Sequence, residues 1–315
     1  MNKKILGIGN AIVDVLAKVE DNFLIKRNFI KGSMKLIDKS EFEDLKKNIK
    51  IEKILAGGSV ANTMSGIAYL KGSPSFIGKV NSDSFGEIYK KSLEDINVNF
   101  PYIQKNENLS TGASIILITP DSERTMCTYL GISSHLSSND INENNVIDHE
   151  LIFLEGYLWD KGKSEKMFKY AINIARKNKV KIAMSLSDIF CVTRHKQDFY
   201  NLLKNDIDIL IGNENEINEL ANKKNLLDSV NQLKELNKLI VITRSEKGSI
   251  AIKNNEIINC NSVKTDKVLD LTGAGDLFAA GFLKEYLDNS DIKKCLETGS
   301  ILASKIIQKI GARLN

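Results

Sequence analysis

The chain has 315 residues, 42% of them hydrophobic and 27% charged, which is enough apolar material for one large core and too much for a disordered chain. Its 44 basic and 40 acidic residues leave a net charge of +4 spread along the whole length, too weak and too even to specify nucleic acid or a membrane surface as partner. Cys127, Cys191, Cys260 and Cys295 form no CxxC or Cys/His pattern and read as free buried thiols in a reducing compartment. With no apolar run of ~20 residues and no cleavable leader, the expectation is a soluble cytoplasmic protein.

In chain order, KKILGIGNAIVDVLAKV (3–19) opens with a short apolar run that predicts a buried strand, then alternates as a second strand would. KGSMKLID (31–38) predicts another extended segment. A glycine pair, Gly57 and Gly58, precedes SVANTMSGIAYLK (59–71), whose apolar spacing is helical; PSFIGKV (74–80) predicts a strand and SFGEIYKKSLEDI (84–96) an amphipathic helix. TGASIILITPDSERTMCTYLG (111–131) reads as a hairpin with its turn at PDSER. From about residue 150 strands alternate with helices. ELIFLEG, KIAMSLS, DIDILIGN and KLIVITRS are the strands, and a hairpin-like GSIAIKNNEIINC follows the last of them. KSEKMFKYAINIARKNK, the start at ENEINELA, AGDLFAAGFLKEYL and CLETGSILASKIIQKI are the helices. This alternation predicts an α/β fold, a mostly parallel sheet with helices on both faces. The extra strands of the first third predict a small β-sheet lid from segments within about 11–40 and 100–131, in a single structural unit spanning 1–315.

The segment DLTGAGDLFAAGFLKEYL (270–287) carries the most chemistry. Gly273, Ala274 and Gly275 leave the backbone at a helix start open to an anion, where unpaired N–H groups and the helix dipole both favour a phosphoryl group. Asp276 would then stand beside that group, placed to accept the proton of an attacking hydroxyl. Read alone, the same segment is also a turn with an acid in the first helical turn. Gly57 and Gly58 permit close backbone approach to a ligand, and Asn62, one turn into the helix, could bond a sugar hydroxyl; the alternative is a plain turn capped by Ser59. Asn10 and Asp14 follow the first strand, where a carboxylate could take two neighbouring hydroxyls. Asn213 and Glu216 stand one helical turn apart after a strand, suited to a Mg²⁺ held largely through water, or to a surface helix start. Thr243, Ser245 and Gly248 lie just past another strand, where open α/β sheets bind nucleotides. GIGNAI lacks the third glycine of a dinucleotide fingerprint, with Ile12 in its place. GSPSFIGKV is one residue too long for a P-loop and ends in Val80 where Ser or Thr is needed. His135, His149 and His195 share no spacing and read as surface residues.

Taken in order, GNAIVD, the glycine pair with Asn62, IGKVNSDSFG, Asn213-x-x-Glu216, Thr243–Gly248 and DLTGAGD resemble the ribokinase-like (PfkB) carbohydrate kinases over essentially the whole chain. The resemblance implies a ribokinase-like fold and an ATP-dependent phosphotransferase. Asp276 would be the general base and Gly273, Ala274 and Gly275 the anion hole. Asn213, Thr243, Ser245 and Gly248 would lie along ATP, and Glu216 would meet Mg²⁺. Asp270 matches a position that helps hold a monovalent cation, so K⁺ joins the expected cofactors, although Leu271 departs from the usual Thr or Pro.

Within the family the chain looks most like adenosine kinases. Asn10, Asp14, Gly57, Gly58 and Asn62 would meet the ribose, and Arg124 would reach the phosphate side. Met34, Leu36, Met126, Thr128 and Leu130, with Ile12 and Leu16, would form a mainly apolar wall for a purine, or else pack the lid. The implied reaction is phosphorylation of the adenosine 5′-hydroxyl to AMP. A ribose or fructose kinase and a non-catalytic nucleoside sensor remain as alternatives, and both monomer and homodimer stay open.

Overall fold

Apolar pentapeptides with alternate residues pointing to opposite sides build the body of the protein. In a computed structural model, which describes residues 3–121, 123–159 and 164–314, the strand β1 (Lys4–Ile8) sits between β5 (Ser73–Ile77) and β8 (Leu151–Glu155), all parallel. The sheet continues in parallel through β9 (Lys181–Ser185), β10 (Ile209–Asn213) and β11 (Leu239–Thr243). It ends in an antiparallel hairpin, β12 (Ser249–Lys253) and β13 (Glu256–Cys260). Strand burial on both faces explains the near-continuous apolar runs. Ile5 faces one core, which it shares with α3 (Ser59–Tyr69), α10 (Ala274–Leu287) and α11 (Ile292–Ile306). Leu6 and Ile8 face the other, built on α6 (Ser164–Lys177), α7 (Ile189–Asn205), α8 (Glu214–Ala221) and α9 (Leu226–Leu233).

A second sheet, in the order β3-β7-β6-β2-β4, joins the core that Ile5 faces. Its strands are β2 (Ile12–Lys18), β3 (Met34–Leu36), β4 (Ile51–Ala56), β6 (Gly112–Ile118) and β7 (Arg124–Tyr129). Val13, Val15, Ala17, Ala113, Ile115, Leu117, Cys127 and Tyr129 make up one face and are buried. They share a core with Leu24 of α1 (Asp21–Lys26) and with Phe42 and Leu45 of α2 (Lys39–Lys47). The opposite face is formed by the alternate residues and is free to line a cavity. The two remaining helices are α4 (Ser84–Glu94) and α5 (Glu143–Ile147).

The mostly parallel sheet, the flanking helices and the small extra sheet agree with the sequence pattern. Three details differ. The extra sheet also takes β4, outside the two segments expected to form it. Between β9 and β10, where the sequence reading set two strands in succession, the chain inserts α7, whose pattern is interrupted at His195 (φ −122°, ψ 21°). His149, expected at the surface, is buried with Nε2 2.8 Å from Ser75 Oγ, because the start of β8 tucks it under β5. Part of the PDSER turn, Ser122, lies outside the described residues. The four cysteines are buried, and among the described residues no helix is long and apolar enough to cross a membrane.

The helix that carries Asp276 is held by a tight contact. A Cβ on Gly281 of α10 would lie 2.7 Å from the backbone of Thr298 and Gly299 on α11. The Gly281→Ala variant is therefore expected to lose about 1–3 kcal/mol of stability, the usual cost of overpacking, measured as a lower urea midpoint. An unchanged midpoint would show that the two helices separate without cost.

Candidate active site

Gly273 adopts a left-handed conformation (φ +78°) and caps α10, so Asp276 falls in the first turn of the helix. Its two carboxylate oxygens are taken by α3: Ser59 Oγ donates to Oδ1 at 2.7 Å and Asn62 Nδ2 to Oδ2 at 3.0 Å. Enclosure by protein pushes its pKa up to about 6, against the pull of both hydrogen bonds and of Arg313. The residue is half-buried, so part of it still meets the cleft. Ser59 is therefore no cap; that place belongs to Gly58 (φ +92°), where any Cβ would meet the Asn10 carbonyl at 2.4 Å. Among the three residues expected to cradle an anion, the Ala274 amide already closes a turn on the Leu271 carbonyl at 3.2 Å. Above Gly275, by contrast, the space is clear, with nothing within 4 Å of a Cβ placed there.

Two cavities flank this segment. One is lined by Ser59, Thr63, Gly212, Asn213, Glu216, Thr243 and the residues Gly273 to Asp276. The other is lined by Asp14, Leu16, Leu55, Arg124, Thr272, Ile310 and Arg313. Thr272 and Gly273 are neighbours in sequence, so the loop before α10 is the partition between them.

In the first cavity Asn213 and Glu216 form a reciprocal capping box at the start of α8. Asn213 Oδ1 accepts from the Glu216 amide, and the Asn213 backbone and side-chain N–H groups donate to the two oxygens of Glu216. Glu216 is 5% exposed rather than a surface acid, and burial pushes it up to about 7. Among the described residues no three His, Cys, Asp or Glu side chains converge. A divalent cation here would accordingly take most of its oxygens from phosphates and water, with Glu216 the carboxylate at hand. Thr243 joins this lining; Ser245, exposed, and Gly248 (φ +82°) lie outside it.

On the second sheet the strand register gathers the expected wall, of which Asp14 and Leu16 line the second cavity while Met34, Leu36, Met126 and Thr128 lie outside its lining. Leu16, Ile116, Met126 and Met34 are aligned across four strands, and next to them Asp14, Ser114, Thr128 and Leu36. These are the alternate residues, so they share the face opposite the helix-covered one. Leu130 follows β7 and is half-buried. Asp14 lies against Gly57, where a Cβ would come within 2.4 Å of its Oδ2. Burial raises Asp14 to about 7, with Arg313 and Arg124 pulling it down.

Several residues turn inward. Asn10 is 5% exposed; its Nδ2 donates to Glu155 at 2.8 Å and its Oδ1 accepts from Ser133 Oγ at 3.3 Å, and it lines neither cavity. Asn62 is committed to Asp276 on one side and to Arg313 Nε (3.0 Å) on the other. Asp270 pairs with Arg124 at 2.6 Å and accepts from the amides of Thr272 and Gly311. Two of these donors share Oδ2 and one takes Oδ1, so Arg124 answers the Asp270 charge that a monovalent cation would otherwise share. The same bond fastens the second sheet to the loop before α10, so Arg124 is engaged there rather than free.

Sequence reasoning missed two residues. Glu155, at the end of β8 and 1% exposed, accepts from the Asn10 amide (3.1 Å), Asn10 Nδ2 and the Val60 amide (3.1 Å), knotting the turn after β1 to the start of α3. Burial pushes it up to about 7 against those bonds. An acid closing an otherwise apolar strand was the available signal. Arg313 donates to Asn62, to Ser92 Oγ at 3.3 Å and to the Gly57 carbonyl at 3.2 Å. Nothing local marks it.

Comparison with known proteins places these features in a family. The family described as pfkB family carbohydrate kinase matches residues 27–315. A 5-dehydro-2-deoxygluconokinase of Listeria monocytogenes is 28% identical over 263 residues, covering 80% of this chain and 81% of the relative. Among solved structures, adenosine kinase from Sinorhizobium meliloti is 34% identical with a TM-score of 0.93, covering 100% of this chain and 96% of that one. A probable sugar kinase from Rhizobium etli is 33% identical with a TM-score of 0.93, covering 99% and 96%.

Replacing Glu155 by Ala strands two buried backbone donors and an amide. Each unpaired donor costs about 1–3 kcal/mol. Relief of the buried charge offsets part of this, and the Glu155→Ala variant is expected to lose about 3 kcal/mol in urea unfolding. A loss below about 1 kcal/mol would mean that water replaces the carboxylate and that the knot is not needed.

Proposed function

Because the chain belongs to the pfkB family of carbohydrate kinases, phosphotransferases acting on a hydroxyl, we propose that it moves the γ-phosphoryl of ATP to the 5′-hydroxyl of adenosine, giving AMP and ADP. The observation that carries the reading is the apolar face of the second sheet standing beside Asp14. Leu16, Ile116, Met126 and Met34 suit a purine, and the Asp14 carboxylate suits the paired hydroxyls of a ribose. The likeness to the Sinorhizobium meliloti adenosine kinase supports the same choice.

In this reading the acceptor occupies the cavity of Asp14 and ATP the cavity of Asn213 and Thr243, with the loop before α10 between them. The adenosine 5′-oxygen attacks the γ-phosphorus, the bond to ADP breaks, and Asp276 takes the hydroxyl proton. A carboxylate with pKa about 6 is ionised at neutral pH yet basic enough to share that proton. The free end of α10 above Gly275 receives the phosphoryl charge. A Mg²⁺ near Glu216 would supply further charge neutralisation on the phosphates. The second sheet acts as the lid: the Arg124–Asp270 pair draws it onto the phosphoryl-transfer loop and keeps water out.

The sugar-kinase reading draws on the 5-dehydro-2-deoxygluconokinase relatives and on the two arginines, Arg124 and Arg313, that line the acceptor cavity. An ADP-release assay with Mg-ATP separates the two, using adenosine, inosine, ribose and fructose at equal concentration. The adenosine reading expects adenosine to be fastest by at least about tenfold, the discrimination a matched pocket provides. Ribose or fructose fastest would overturn it and return the apolar face to lid packing. ADP release with none of them above the ATP-only rate would favour a sensor.

For the residues, Asp276→Asn is expected to lower kcat about 10²- to 10⁴-fold, with adenosine affinity nearly unchanged by calorimetry. Near-normal turnover would remove Asp276 from the chemistry. Asp14→Ala is expected to raise KM for adenosine about 10- to 100-fold, the loss of hydrogen bonds to a charged group. An unchanged KM would contradict the ribose contact.

A further inference from the structure

Arg313 is the one strongly enclosed cation of the acceptor cavity that the sequence motifs do not mention. Its place is built. The Gly311 amide is fixed on Asp270 Oδ2 at 2.7 Å, and Ala312 and Leu314 on either side of Arg313 are buried. The guanidinium then spends its donors on three different parts of the chain. Nε reaches the Asn62 side-chain oxygen, Nη1 reaches Ser92 Oγ on α4, and Nη2 reaches the Gly57 carbonyl at the head of α3. All three acceptors are neutral. A guanidinium so placed is costly to hold unless carboxylates face it, and burial does pull its proton affinity down. The titratable groups that face it are the Tyr89 hydroxyl from α4 and two carboxylates, Asp14 from β2 and Asp276 from α10.

We infer that Arg313 is a positioning residue for phosphoryl transfer: by holding the Asn62 side-chain oxygen it turns the Asn62 amide onto Asp276, and its charge keeps that base ionised beside Asp14. A side-chain amide has a donor end and an acceptor end. With its oxygen held by Arg313 Nε, the –NH₂ end must face Asp276, as it does at 3.0 Å. Without Arg313 the amide is free to rotate and set its oxygen against a carboxylate. The charged groups acting on Asp276 include more than Arg313. Ser59 and Asn62 bond it directly, and Asp14 from β2 and Glu155 from β8 carry like charge into the same region. Arg124 from β7 bears on Asp14. Arg313 is the cation that touches this set through Asn62.

The inference rests on Asp276 being the base, so the test includes Asp276→Asn as its control. The measurement is the pH dependence of kcat/KM for Arg313→Met and Arg313→Lys. It uses whichever of adenosine, ribose and fructose the wild-type enzyme turns over fastest, so failure of the adenosine reading leaves the comparison intact. Arg313→Met is expected to move the acid limb up by about one pH unit, because an opposite charge near a carboxylate has been removed. Its kcat is expected to fall about 10- to 100-fold through the misplaced amide. Arg313→Lys keeps the charge and loses the fork. Its acid limb should stay near wild type while kcat still falls about tenfold. Should Arg313→Met fail to fold, the lysine variant decides alone. Wild-type kcat in Arg313→Lys, or an unshifted limb with wild-type kcat in a folded Arg313→Met, overturns the inference. If Asp276→Asn retains full activity, it is the base reading that has failed.

Discussion

The arrangement depends on keeping one carboxylate, Asp276, ionised in a place with little water. Ser59 and Asn62 supply its hydrogen bonds, and both belong to α3, so the site exists only while the start of α3 lies against the start of α10. Other features follow from that contact. Gly58 lets the chain enter α3 with a conformation and a clearance no other residue has. Glu155 clamps the Val60 amide in the first turn of the same helix to the turn after β1, and that turn leads directly into β2 and Asp14. Asp276, Asp14 and Glu155 are thereby set around one helix start.

Four acids of this region, Asp14, Glu155, Glu216 and Asp276, all have pKa values raised by burial, to between about 6 and about 7. Such crowding is unfavourable to the folded chain and is usual at a functional site. Each acid is answered locally. Glu155 and Glu216 are met by amides, Asp276 by a hydroxyl and an amide, and Asp14 by the charges of Arg313 and Arg124. The Arg124–Asp270 bond has a different task, joining the second sheet to the loop between the two cavities. The second sheet and the loop that leads into Asp276 are thus mechanically linked.

Sequence alone reveals features whose cause is local. The DLTGAGD segment could be singled out because small residues before an acid at a helix start suit an anion site, although the same pattern also serves a plain turn. Residues two apart on neighbouring strands share a face, which is why Leu16, Met34 and Met126 could be set on one side of the second sheet; the register aligns them and adds Ile116. The features that escaped are long-range. Asn10 carries a family-like motif but spends its side chain on Glu155, 145 residues away. Arg313 meets Asn62 across 251 residues, and Asp270 accepts from Arg124 and from the Gly311 amide, partners that spacing does not expose. The helix α7 escaped because a mixture of β-branched, aromatic and charged residues, broken at His195, gives no clean period.

The most direct test is the pH dependence of kcat/KM for the wild-type enzyme with Mg-ATP and its best acceptor. A base with pKa about 6 must be deprotonated to act, so activity is lost as pH falls through that value and is full above it. The account therefore predicts an acid limb centred near pH 6 that is absent from the residual activity of Asp276→Asn. A profile that stays flat down to about pH 4, the range of an ordinary carboxylate, or a limb that survives the substitution, would contradict it.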